Sequence, residues 1–417
     1  MKKLILLSLI FISSVSISTK AQVKLGVDML REMNFEPLQN KRVGLITNPT
    51  GVDSKLVSTI DILTSDEAKK AGVRLVALFA PEHGVRGDIE AGKVVPSHQD
   101  PKTGAMVHSL YGNGMKPKLQ MLEGIDVLIF DIADIGSRSY TFISTLGLAI
   151  EAAAESSKEF MVLDRPNPTG GVKVEGGGVK DGFSSFVSKY NIPYLHGMTV
   201  GELAKLYVGE GLLKANPTKL TVIEMSGWQR GMSWEQTGLQ WVAPSPHIPY
   251  PQTAMYYPVT GMTGELQTLN IGVGYLLPFH LFGADWIDDA DAMSRRLNNL
   301  DIDGVLFRPI HYVPYYGSSK TKRVHGVQVH ITDFDKAPIT LIGFYVMEDI
   351  IKNYPTHNPI KLATPARIEM FDKVLGSSEL RQRFQQAGYK VTPEIKAWWG
   401  ERHKWFTPIR ERYLLYQ

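Results

Sequence analysis

Four apolar runs constrain this chain more than anything else in it: RVGLIT (42–47), VRLVALF (73–79), DVLIF (126–130) and FMVL (160–163). None alternates polar with apolar residues, so each reads as a strand buried on both faces. Segments of helical period separate them. Leu56, Ile60 and Leu63 share one helical face, and Phe142, Leu146, Ala149, Ile150 and Ala153 share another. Strand and helix in alternation predict an α/β fold built on a parallel sheet covered on both sides. Thr199 with Glu202 three residues on is a capping-box start for a further helix, and TVIEM (221–225) reads as a further strand.

Near Trp241 the character changes. PSPHIPYPQTAMYYP (244–258) is dense in proline and aromatics, and is expected to connect two domains or to wall a cleft between them rather than form a long regular element. Beyond it the pattern predicts a helix near 288–297, a strand at 305–309, a half-buried strand in HGVQVHI (325–331), a helix around 341–351 and a charged, aromatic-rich helical tail. The expected division is a first domain over 22–255 and a smaller C-terminal α/β domain over 256–417.

A length of 417 residues suits two domains or one large one, and 43% hydrophobic with 21% charged residues is the composition of a folded chain. The net charge of +3 and the lack of any Lys/Arg-rich run argue against nucleic acid as a partner. Residues 1–21 have the layout of a secretory signal peptide: Lys2 and Lys3, an apolar stretch from Leu4 to Val15, then small and polar residues ending at Ala21. The apolar stretch is shorter than the roughly 20 residues a bilayer span needs, so no stable membrane insertion is expected after cleavage, and export to the periplasm or beyond is. With no cysteine in the chain, disulfides, thiolate metal sites and cysteine nucleophiles are excluded.

Chemistry collects after the strands. They end in TNPTG (47–51), APEHG (80–84), DIADIGSRSY (131–140) and DRPNPTGG (164–171). In an open parallel sheet such loops leave one edge, where ligands bind. Asn48, Glu82, His83, Asp131, Asp134, Arg138, Asp164, Arg165 and Asn167 are therefore expected to converge. Glu82 is the strongest functional candidate, because a glutamate directly after a buried strand and a proline is neither a cap nor a solvated helix face. His83 is open between a wall residue and a substrate contact, and Arg165 between an ion pair with Asp164 and a ligand contact. Asp134 reads as a turn residue. No phosphate loop, dinucleotide fingerprint, H-E-x-x-H or serine elbow occurs, so no cofactor is expected. A site rich in carboxylates suits glycoside hydrolysis, with Glu82 as general acid/base and Asp131, then Asp164, as candidates for a second carboxylate. Two other classes stay open: a non-catalytic glycan-binding protein, and a metal-dependent hydrolase using Asp131, Asp164, His83 and Asn48.

LFAPEHGVRGD, VLIFDIADIGSRSYTFISTL, VLDRPNPTGG with VEGG, HGMTVGELA, PSPHIPYPQTAMYYP and HGVQVHITD together resemble the exo-β-N-acetylmuramidase family, over essentially everything from Leu25 to the C-terminal YLLY. The resemblance implies a Rossmann-like first domain, a smaller second domain, a cleft between them, and release of N-acetylmuramic acid from non-reducing ends of peptidoglycan-derived glycans. It implies a catalytic role for Glu82, and places Asp131, Arg138, Tyr140, Asp164, Arg165 and Asn167 in or near the cleft. The lactyl carboxylate of muramic acid calls for a cation, for which Arg138 or Arg165 is the expectation. Relatives often carry E-G-T-N-x-S-x-G-R-G-T-x-x-P-F where this chain reads ELQTLNIGVGYLLPF (265–279). Glu265 matches, as a substrate contact. Val273 and Tyr275 stand where arginine and threonine are common, and Ala133 where glutamine is.

Overall fold

A computed structural model describes residues 22–81, 84–87, 96–110, 112–317 and 319–417. The expected leader and both Glu82 and His83 lie outside the described residues.

Seven strands, β1 (Arg42–Thr47), β2 (Arg74–Ala80), β3 (His98–Gln99), β4 (Met106–Ser109), β5 (Val127–Asp131), β6 (Glu159–Leu163) and β7 (Leu220–Ile223), form one sheet in the order β3-β4-β2-β1-β5-β6-β7. Every neighbouring pair is parallel except β3 with β4. The two-residue β3 and the short β4 carry too little apolar pattern to be read from sequence.

The apolar runs are explained by burial on two sides. Ile46, Phe79, Leu128, Phe130, Phe160 and Val162 face the helices α4 and α5, defined below. The alternate residues Val43, Leu45, Leu78, Ile129, Met161 and Leu163 face α1 (Gly26–Glu32), α2 (Thr59–Leu63) and α3 (Asp66–Lys70). Each such side chain contributes roughly 1.5–3 kcal/mol on burial, so neither face tolerates a polar residue. α4 (Phe142–Glu155) buries Phe142, Leu146, Ala149, Ile150 and Ala153, as the periodicity predicts. α5 (Val200–Gly209) begins with the predicted reciprocal bonds between Thr199 and Glu202. Leu56 departs from expectation. It is 51% exposed at φ +65°, in a turn where Asp53 accepts from the Lys55 and Val57 N–H groups, and α2 starts only after its Ser58 cap.

The expected boundary at 255/256 falls inside α6 (Pro251–Gly264). The proline-rich stretch is broken only as far as Tyr250. Pro251 then occupies the first helical turn, where its missing N–H is not needed, and Pro258 is carried within the helix. α6 joins the two units: the Tyr257 hydroxyl lies 3.2 Å from Ser139 Oγ, and the Tyr256 hydroxyl accepts from the Ile331 N–H. The second unit is an antiparallel sheet ordered β8-β10-β9, from β8 (Leu281–Ala284), β9 (Val305–Tyr312) and β10 (Val324–Ile331). It packs on α7 (Ala290–Asn298) and α8 (Ile342–Asn353) through Phe282, Phe307, Val327, Met293 and Val346.

The tail does not stay with the second unit. Phe406 enters the core beside α4 and α5, and the Leu415 N–H donates to Glu202. The Tyr416 hydroxyl donates to Asp164, and the Arg230 N–H donates to the carbonyl of Gln417. The last dozen residues therefore complete the first unit. No helix among the described residues is long and apolar enough to cross a membrane.

Candidate active site

The chain leaves β1 toward β2 on one side and resumes at β5 on the other. The adjacent carboxyl ends of β1 and β5 thus flank a topological switch point, where open α/β sheets hold ligands. The two loops are tied together. Asn48 Oδ1 accepts from Thr50 N and Oγ1, and Thr50 Oγ1 in turn accepts from Ala133 N at 2.9 Å. Asn48 Nδ2 is buried without a partner at this rim.

Asp131 is not a free carboxylate. It has no solvent exposure, and Arg165 grips it bidentately (Nε–Oδ1 2.6 Å, Nη2–Oδ2 2.9 Å) while Thr59 Oγ1 donates to Oδ2 at 2.5 Å. Arg165 Nη2 also donates to the Val52 carbonyl. The arginine is thus a structural partner, but of Asp131 and not of the adjacent Asp164. Asp164 is equally enclosed and accepts from Tyr416 Oη, Thr199 Oγ1 and the N–H groups of Gly201 and Arg165. The metal-ligand set considered from sequence does not form from these two aspartates, whose oxygens face donors. Among the described residues no three His, Asp or Glu side chains are grouped to hold an ion.

Burial, offset by those donors, raises the Asp164 carboxyl to about 6. A folded-state value above the unfolded one gives stability that is present at low pH and lost as pH rises through the folded value. Relative to Asp164→Asn, the wild type should therefore lose about 1–3 kcal/mol between pH 4 and 6.5. Paired urea titrations across that range measure it, and parallel pH profiles would refute it.

Arg138 is withdrawn from any ligand. It is fully buried, and its guanidinium donates to the carbonyls of Gly177 (2.7 Å), Ile192 (2.6 Å) and Val374 (2.9 Å) and to Ser188 Oγ (3.1 Å). Desolvation pulls it down to about 10. Val374 lies in the last turn of a helix over 365–375, whose carbonyl end favours a cation. Arg138 therefore fastens the two units together, and its expected grip on a sugar acid is corrected. Asn167 makes a local turn, accepting from Thr169 N and Oγ1 and donating to the Met198 carbonyl. Asp134 is the turn residue expected, accepting from Gly136 N. Arg86 pairs with the buried Asp100.

Arg165 edges a small pocket with Thr50, Ala133 and Trp241, and Tyr140 and Glu265 line a larger cavity. It measures about 280 Å³ and opens where the units meet, with Ser139, His247, Tyr257 and Phe279 also in its wall. The β5–α4 loop supplies Ser139 and Tyr140, the segment before α6 supplies His247, and Glu265 caps the C-terminus of α6. Burial raises the Glu265 carboxyl, and Arg367, with Nη1 at 3.6 Å, lowers it only in part. The tyrosines form an edge-on set, with Tyr140 to Tyr257 at 5.8 Å and 82°. Sequence reading passed over Ser139 and His247 as site residues, although both lie in motifs whose cleft position it anticipated. Neither residue type carries a distinguishing signal without the fold.

A doubly wound sheet faced by a second α/β unit, with a carboxylate and several hydroxyls lining the cavity at their junction, defines a two-domain α/β enzyme architecture. Two family models match in succession: the N-terminal domain of exo-β-N-acetylmuramidase NamZ over residues 43–252 and its C-terminal domain over 255–416. The chain belongs to the exo-β-N-acetylmuramidase NamZ family. It is 40% identical over 397 residues, covering 95% of this chain and 92% of the relative, to the peptidoglycan β-N-acetylmuramidase NamZ of Bacillus subtilis strain 168. Two crystal structures of DUF1343 family proteins from Bacteroides fragilis share the fold. One has 49% identity and a TM-score of 0.88, the other 26% and 0.76, and in each case 95% of this chain and 99% of that chain are covered.

Proposed function

We propose that this chain is an exo-acting glycoside hydrolase that releases N-acetylmuramic acid from the non-reducing ends of peptidoglycan fragments, with Glu82 as general acid/base. The observation that carries this reading is the likeness to a peptidoglycan β-N-acetylmuramidase along nearly the whole chain, including both family domains. Glu82 protonates the glycosidic oxygen as the bond to C1 breaks. Glu265, set in the cavity wall and only loosely paired, is better placed than the enclosed Asp131 to be the second carboxylate. The tyrosine hydroxyls, Ser139 and His247 offer hydrogen bonds to the sugar. The leader-like residues 1–21 support export, which places the enzyme where cell-wall fragments are.

Incubation of the mature protein with the muramic acid–glucosamine disaccharide should release free N-acetylmuramic acid. The counterpart that ends in glucosamine should stay intact. No muramic acid from the first, or equal cleavage of both, would overturn the reading.

A further inference from the structure

Aromatic rings continue from the cavity to the surface. His247 stands in the cavity wall, and its ring stacks on Tyr316 at 6.0 Å and 25°, with Nε2 2.5 Å from the tyrosine hydroxyl. Next in the chain is Tyr315, and its ring lies 6.0 Å and 32° from Tyr275, which lies 4.7 Å and 34° from Tyr312 at the end of β9. Tyr312 is buried, whereas Tyr315 and Tyr316 are 62% and 47% exposed.

The backbone holds this arrangement. The Tyr315 N–H donates to the Gly274 carbonyl at 2.6 Å, and Gly274 sits at φ +91°. A Cβ on Gly274 would lie 2.5 Å from the Tyr316 carbonyl oxygen, so only glycine permits the approach. Val273 beside it packs on the cluster of Ile135, Ile248 and Phe279 beneath the cavity. Val273 and Tyr275, two of the positions at which this chain departs from the pattern common in relatives, thus fall in or under the strip.

Single exposed aromatics need no explanation, but a fixed set of rings contiguous with a ligand cavity does. The segments VGYLL (273–277) and YVPYYG (312–317) carry no charged side chain, so the surface that they contact is an uncharged one. A pyranose ring is neutral and presents C–H groups to an aromatic face, whereas peptide stems bring carboxylates and ammonium groups.

We propose that Tyr275, Tyr315 and Tyr316 form a subsite for the leaving glycan, on which sugar rings beyond the cleaved bond stack, so that longer muramic-acid-terminated strands are preferred over the disaccharide. This rests on the muramidase reading. The test compares kcat/KM for the muramic acid–glucosamine disaccharide and its tetrasaccharide repeat, in the wild type, Tyr315→Ala and Tyr275→Thr. The wild type should favour the tetrasaccharide by about 3–10-fold, and the variants should bring the ratio close to one. Tyr315→Ala keeps the backbone bond to Gly274, so the fold is not at stake. A wild-type ratio near one, or a ratio unchanged in both variants, would overturn the subsite.

If the wild type cleaves neither glycan, the muramidase reading fails and binding alone decides the strip. Calorimetric titration with the β-1,4-linked N-acetylglucosamine tetramer should then show binding weakened about 3–10-fold by Tyr315→Ala. Equal affinity, or no binding to the wild type, would refute it.

Discussion

Glu82→Gln should lower release of muramic acid from the natural disaccharide by about 10²–10⁴-fold, the usual contribution of a positioned general acid. The amide keeps the size and polarity of the side chain but has no proton to give, and the glucosamine oxygen is a poor leaving group without one. An aryl muramide, whose leaving group departs unaided, should be affected less. The pair of substrates separates a lost proton from a lost fold. Full turnover of the disaccharide by the variant would remove Glu82 from the mechanism.

The second large effect concerns stability. Arg138→Ala removes a buried cation that saturates three carbonyls and a hydroxyl, on loops of the first unit and on a helix end of the second. Each carbonyl left dry costs about 1–3 kcal/mol. A loss of about 3–5 kcal/mol is expected after relaxation and water entry. Equilibrium unfolding in urea measures it. Arg138→Lys should recover part of the loss, since an ammonium reaches some of the same carbonyls but lacks the planar fork. A change within about 0.5 kcal/mol would mean that the acceptors find water at little cost.

The central strands were readable because burial on both faces leaves an unbroken apolar run, as in RVGLIT and DVLIF. β8 and β4, four residues each, leave no such mark. α6 was hidden because a proline at its first position looks like a break when it is a start. At the site, sequence placed the polar loops on the correct edge but could not tell a side chain that faces ligand from one that holds the loop. Asp131 and Arg165 neutralise each other, and Arg138 points away from the cavity into carbonyls. A carboxylate or guanidinium beside a strand end has the same sequence signature in both roles. Only the partner decides. Glu265 stayed in the cavity because it caps a helix C-terminus and meets Arg367 only at 3.6 Å.

The return of the tail to the first unit bears on how the chain is made. Tyr416 donates to Asp164 at the end of β6, and Gln417 receives the N–H of Arg230. The first domain to leave the ribosome is thus the last to be finished, since its buried aspartate waits for the penultimate residue of the chain. The full set of donors on that aspartate is therefore assembled only when the tail is in place. Without the tail, the first domain would lack the Tyr416 bond to Asp164 and the packing of Phe406 beside α4 and α5.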